Sequence, residues 1–186
     1  MGTKFTAVYD RFLGKITDDM YMELTPEDTI RDLQNLIIEA IPGFEFPRKN
    51  ISDYTFETVK MEKNLLTEED FVINDLLEDE EFVLVERSSF GVDLTSEEIN
   101  IIAILMMNAW LQRQITSIEN IRMKYSGTDF KMTSQANHLS KLLALLSETQ
   151  RQSHHMQRLY KRRKTDADGN IKSNWSVLRE VSVFDN

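Results

Sequence analysis

Three histidines, a few paired acids and one acidic loop are the residues of this chain whose types suit chemistry. His154 and His155 are metal-ligand types. Adjacent residues on a helix project about 100° apart, so the two do not converge on one ion. His138 follows Asn137 at an expected helix start and reads as a structural imidazole. Asp166, Asp168, Gly169 and Asn170 have the spaced acids of a calcium loop. Such a loop needs its glycine at the sixth place and a carboxylate at the twelfth. Here the glycine is fourth and the twelfth place is Val177. The pairs Asp18-Asp19 and Glu68-Glu69 are ordinary in so acidic a chain and read as solvated. The chain shows no glycine-rich phosphate loop, nucleophile elbow or zinc-ligand spacing. It has no cysteine, so disulfides and thiol chemistry are excluded. The expectation is no enzyme, no cofactor and no bound metal.

Charge is the stronger signal. The 186-residue chain carries a net charge of −9. Between Glu57 and Glu86 stand eleven acids, opposed only by Lys60 and Lys63. Between Arg151 and Lys164 stand six basic residues and no acid. Such asymmetry points to charged contacts with partners or neighbouring copies, against the plainer reading of two solvated faces. The basic stretch 158–164 also suits phosphate contacts, which need only Lys and Arg. Overall acidity and the lack of a DNA-reading motif argue against a dedicated nucleic-acid binder.

The elements that would position these residues are mostly helical. Thr95 with Glu98 has capping-box spacing, and Glu97 and Glu98 sit at the positive end of the helix dipole. From Ile99 to Leu111 only Asn100 and Asn108 are strongly polar. A helix apolar almost all round is buried on most sides. The run is too short for a membrane span, which takes about 20 apolar residues. Asn108 needs a partner if buried. A second helix, capped by Ser134, is expected to run without a break to about Arg163, since no glycine or proline interrupts it. Leu139, Leu142, Leu143 and Leu146 form a stripe predicted to pack against Ile102, Met106 and Trp110. The stripe then turns polar and returns at Met156, Leu159 and Tyr160. That pattern predicts that the far end leaves its own bundle. Met156, Arg158, Leu159, Tyr160, Arg162 and Arg163 are therefore expected to meet partners or other copies.

Elsewhere, Phe5–Leu13 reads as a short helix. Thr25 caps a helix with Pro26 at its first position. Its stripe is Ile30, Leu33, Ile37, Ile38 and Ile41, and Pro42-Gly43 ends it. Phe44 and Phe46 anchor the following loop. Tyr54–Met61 reads as one strand, Thr67–Leu77 as a helical turn, and Glu81–Arg87 as the best strand. The acidic segment should lie outside the packed helices, because its charge is costly to bury. Ser126–Asp129 is a turn, and Asp168-Gly169 a hairpin turn. Trp175, Leu178, Val181 and Phe184 follow in a tail expected to be ordered by partners. The start, MGTKFTAVYD, has no apolar run like a signal peptide. The fold class is mainly α: a helical bundle with a long C-terminal helix, a small β-hairpin-like insertion and an extended C-terminal arm. The division is a helical domain over 1–164, interrupted by the insertion 56–87, and an arm over 165–186.

The stretch DLTSEEINIIAILMMNAWL, followed by YSGTDFKMTSQANHLSKLLALL, resembles the small helical neck proteins of tailed bacteriophages. These are the head-to-tail adaptor (head completion or connector) proteins beneath the portal. The acidic-capped helix, the D-F-x-x-x-S-x-A-N-H-L stretch over 129–139 and the long helix after it carry the likeness. YDRFLGKITDD, the helix Asp28–Ile41 and FPRKNISD also fit it. About two thirds of the chain is covered, and Phe56–Arg87 departs from the pattern as an insertion. The resemblance implies a structural virion protein, assembled in the host cytoplasm. It implies a ring of twelve copies that binds the portal protein and other neck or tail proteins, with DNA passing transiently and no membrane involved. The alternative class is a small helical regulatory or nucleic-acid-binding protein that uses the basic stretch 158–164.

Overall fold

The computed structural model describes residues 2–16, 21, 24–62, 71–72, 82–124 and 133–163. Within these are four helices: α1 (Thr6–Leu13), α2 (Pro26–Ala40), α3 (Ser96–Lys124) and α4 (Thr133–Arg162). Five short strands lie between α2 and α3: β1 (Tyr54–Thr55), β2 (Thr58–Glu62), β3 (Phe71–Val72), β4 (Phe82–Glu86) and β5 (Ser89–Phe90). The mainly helical class, the long C-terminal helix and the small β insertion are as expected. The arm 165–186, both expected loop turns and Glu78–Glu81 lie outside the described residues.

α3 is the centre of the arrangement. It begins with the expected capping box. The Glu98 carboxylate accepts from Thr95 N at 2.7 Å and from the Thr95 hydroxyl at 2.9 Å, and Thr95 Oγ1 accepts from Glu98 N at 3.3 Å. Six consecutive residues, Ile101 to Met106, are buried, so this part of α3 is covered on every side. α1, α2 and α4 all pack on it. α1 contributes Val8, Tyr9 and Phe12, joined by Phe5 just before it, and α2 contributes Leu33, Leu36, Ile37 and Ala40. The helix runs on past the apolar run that ends at Leu111, because Gln112, Thr116, Ser117 and their neighbours are compatible with an exposed helix face.

α2 starts as the sequence requires. Thr25 Oγ1 accepts from Asp28 N at 3.2 Å, Pro26 takes the first position, and the 3₁₀ turn Ile41–Gly43 ends the helix. Leu36 is buried and Ile38 is exposed, correcting the expected stripe. Ile38 lies one residue past Ile37, about 100° off the core side.

The insertion forms two small antiparallel sheets. β1 pairs with β5, while β4 is central in the order β2-β4-β3. The single strand expected over Tyr54–Met61 is thus divided between two sheets, with Phe56 and Glu57 at the break. Phe71-Val72 pair as a strand with Glu86 and Val85, where a helical turn was expected. Their β-branched and aromatic types suit a pleated edge. Glu86 is 1% exposed, which corrects the expectation that the whole acidic segment lies outside. Its carboxylate accepts from Thr58 Oγ1 at 3.0 Å, and from Ser88 N and Gln34 Nε2, each at 3.2 Å. A buried carboxylate with several donors is tolerated where a bare one is not.

α4 runs antiparallel to α3. Besides Gln157, its buried or half-buried positions are Leu139, Leu142, Leu146, Thr149, Ser153, Met156 and Tyr160. They alternate in steps of three and four, the spacing of one continuous seam. The stripe does not lapse in the middle, as the apolar residues alone suggest. Thr149 and Ser153 continue it with their hydroxyls satisfied on the helix itself. Thr149 Oγ1 donates to Leu145 O and Leu146 O, both at 3.0 Å, and Ser153 Oγ accepts from Gln157 Nε2 at 3.3 Å. Consequently the far end does not leave the bundle. Tyr160 is 2% exposed and belongs to the main core, whereas Leu143 is 47% exposed. Leu111, Ile115, Leu139 and Leu146 form a second, smaller cluster drawn entirely from α3 and α4.

Two outcomes follow. Tyr160→Ala should destabilise the isolated protomer by about 3–5 kcal/mol, as a buried aromatic truncation. Leu143→Ala should cost less than about 1 kcal/mol, because its side chain is half in water. Urea unfolding of both variants checks the order. The second outcome concerns alkaline pH. Burial, then the Glu98 hydrogen bond and charge, push the Tyr160 hydroxyl well above its ordinary value. Burial, then the Glu86 charge, do the same to Tyr9. The folded state therefore holds these protons more tightly than the unfolded chain. Stability is fully present below the ordinary tyrosine range and falls as pH rises above about 10. Tyr9→Phe should flatten that fall and cost little at neutral pH, because the buried Tyr9 hydroxyl has no hydrogen-bond partner among the described residues. Thermal melts from pH 8 upward would show it.

Candidate interaction surface

Among the described residues the C-terminal end of α4 is tied by many contacts. Tyr160 Oη donates to Glu98 Oε1 at 2.5 Å, so one carboxylate both caps α3 and holds α4. The Tyr160 ring packs edge-on against Phe44 at 5.4 Å, and the Arg48 guanidinium sits over it at 4.4 Å from the ring centre. Arg48 Nη2 also donates to Tyr160 O at 2.7 Å and Arg163 O at 2.6 Å. A cation thereby occupies the negative end of the helix and satisfies its last carbonyls. Gln157 Oε1 accepts from Glu45 N at 2.7 Å, and its Nε2 donates to Gly43 O at 3.2 Å. Arg163 pairs with Glu97 at 2.6 Å, and Lys161 lies over the Phe46 ring at 3.8 Å. Loop 44–48, the start of α3 and the end of α4 are locked together.

These ties sort the residues expected to meet partners. Tyr160 is corrected: its burial and its bond to Glu98 spend it inside the protomer. Met156 is half-buried and packs partly against the main core. Arg163 already has Glu97. Arg158, Leu159 and Arg162 stay exposed. Trp175, Leu178, Val181 and Phe184 lie outside the described residues. The residues that close the clamp, Arg48, Glu98 and Gln157, were not singled out as a group by sequence. The capping box was the one available sign that Glu98 matters there.

What remains outward is a basic face. Arg151, His155, Arg158 and Arg162 are all exposed. Their spacing of four, three and four residues keeps them on the side of α4 opposite its seam. Arg151 is paired with Glu148 at 2.8 Å. That contact holds the Glu148 carboxyl below its usual range and raises Arg151. Among the described residues Arg158 and Arg162 have no ion pair. An open depression of about 450 Å³ is lined by Glu148, Arg151, Gln152, His155 and Arg158. One flank of α4 adds the exposed Leu145 and Leu159. Leu145 borders a second depression of about 360 Å³ with Ile16, Met107 and Trp110. Elsewhere Arg113 reaches Asp32 at 2.8 Å and Glu39 at 2.6 Å, tying α3 to α2, and those carboxylates raise its pKa, Glu39 foremost.

Among the described residues no three metal-ligating side chains converge, and His154 faces only Glu45 at 3.6 Å. No helix among them is long and apolar enough to cross a membrane. The arrangement offers charge and apolar contact on one long helix. No family model, curated protein or solved structure matches the chain.

The clamp and the outward face should respond differently to substitution. Arg48→Ala should cost about 1–2 kcal/mol and speed amide exchange in the last turn of α4, since it strips charge-assisted bonds from two carbonyls. Arg158→Ala with Arg162→Ala should shift stability by no more than about 0.5 kcal/mol. Hydrogen exchange and urea unfolding separate the two.

Proposed function

We propose that this chain is a structural assembly protein: a head-to-tail adaptor of a tailed bacteriophage, forming a ring below the portal. The observation that carries this is the outward face of α4. After α4 has filled its seam, arginines and exposed leucines remain on a helix about 45 Å long. A long helix fixed at one end by a clamp suits docking between large bodies. The two helices that hold this surface also hold the residues that resemble neck proteins, namely the capped start of α3 and the stretch that opens α4. Partners on this reading are twelve copies of the chain itself, the portal protein and further neck or tail proteins. Its place is the virion, with DNA passing through the ring.

Mechanism on this reading is geometry. The ring continues the DNA channel and presents a new surface to the next component. Native mass spectrometry of the chain alone, and mixed with the portal ring of its phage, tests it. The expected outcome is a closed ring that joins the portal. A chain that stays monomeric in both samples overturns the reading. Binding to duplex DNA by a monomer, lost on removing Arg158 and Arg162, would instead favour a nucleic-acid-binding role.

A further inference from the structure

We infer that the outward face of α4 seats the acidic segment 57–86 of a second copy of this chain. This rests on the assembly reading and names the contact between copies. α4 carries Lys141, Arg151, Arg158, Lys161 and Arg162 against one acid, Glu148. Segment 57–86 carries eleven acids against two lysines. The chain is thus built with two opposite poles. Much of its other positive charge is used internally. Arg113 holds Asp32 and Glu39, Arg163 holds Glu97, Arg48 holds carbonyls, and Lys161 covers Phe46. Arg158 and Arg162 are left over, and Arg151 has only an exposed partner. Buried Glu86 is likewise satisfied inside its own protomer, so the remaining acids form the negative pole.

Within one copy the described ends of the acidic segment are held on the α2 side. β2 and β4, which bracket most of the acidic segment, are fastened to α2 by Gln34 through Thr58 and Glu86. α2 packs on α3, and the α4 face in question points away from α3. The two poles meet most simply between copies. Joining unlike patches of identical chains is a head-to-tail contact, which closes into a ring where the rotation allows. A nucleic-acid backbone is the less suited occupant, because a net charge of −9 opposes its approach. The acidic segment, in contrast, is present at one per arginine face.

The test is a charge exchange. One variant carries Arg151→Glu, Arg158→Glu and Arg162→Glu. The other carries Glu78→Lys, Asp79→Lys, Glu80→Lys and Glu81→Lys. Circular dichroism confirms that each still folds, which is expected for the exposed arginines. Sedimentation velocity of the wild type should show self-association that weakens as salt rises. Each variant alone should associate about tenfold more weakly or worse, since like charges then face each other. Mixing the two variants should restore association, because each supplies the pole that the other has inverted. The inference is overturned if the arginine variant associates like wild type. It is also overturned if the mixture stays dissociated, or if the wild type is monomeric and binds labelled duplex DNA through the same arginines. Portal binding is measured on the same samples. Variants that lose self-association yet still bind the portal ring support this contact without bearing on the adaptor reading. Charge-indifferent rings that bind the portal overturn the contact and leave that reading standing.

Discussion

A helix with no polar side has to be surrounded, and most of this fold is the consequence of surrounding α3. Burying six residues in a row leaves no angle of the helix for water. Each apolar side chain withdrawn contributes on the order of 1.5–3 kcal/mol. α1, α2 and the aromatic residues around Phe5, Phe44 and Phe90 cover part of the circumference. α4 closes the remainder. Once α4 is committed to that duty along its whole length, only its outer face is available to anything else. The core requirement therefore selects the interaction surface.

Two helix caps, the class and the central helix were legible in the sequence, because those signals are local; the expected cap Ser134 lies inside α4, which begins at Thr133. Thr25 with Pro26, and Thr95 with Glu98, each state their own role within four residues. The seam of α4 was legible at its two ends and misread in its middle. Thr149 and Ser153 look like solvent-facing residues, yet a hydroxyl on a helix can satisfy itself on the turn beneath or on Gln157. Small polar side chains of that kind fill a seam without a burial penalty, and a hydropathy pattern does not register them. Tyr160 was misassigned for the same reason, since its role depends on Glu98, which lies 62 residues earlier. Ile38 and Leu36 exchanged roles because one residue of phase decides a helix face. The division of Tyr54–Met61 depends on Ser88, whose hydroxyl accepts from Glu57 N at 3.0 Å, another long-range partner.

The two buried carboxylates follow one rule. Glu86 and Glu98 are buried carboxylates, and each is surrounded by donors from separate elements. Each acts as a junction: Glu86 joins α2 to the small sheet, and Glu98 joins α3 to α4. Removing one donor would leave charge without water or partner, a cost well above that of an ordinary surface bond. At these two junctions acidity is structural, set inside the protein with its donors around it.

The clamp at the end of α4 also has a mechanical meaning. Any pull on the chain beyond Arg163 arrives first at the guanidinium of Arg48 and the carboxylate of Glu97, then at the Tyr160 ring between Phe44 and Glu98. These contacts come from a loop and from the head of the central helix, so the load is shared across the core before α4 can unwind. Several bonds must then break before α4 unwinds. A component that hangs from this point is suspended from the interior of the protein, with tension carried past the surface and into α3.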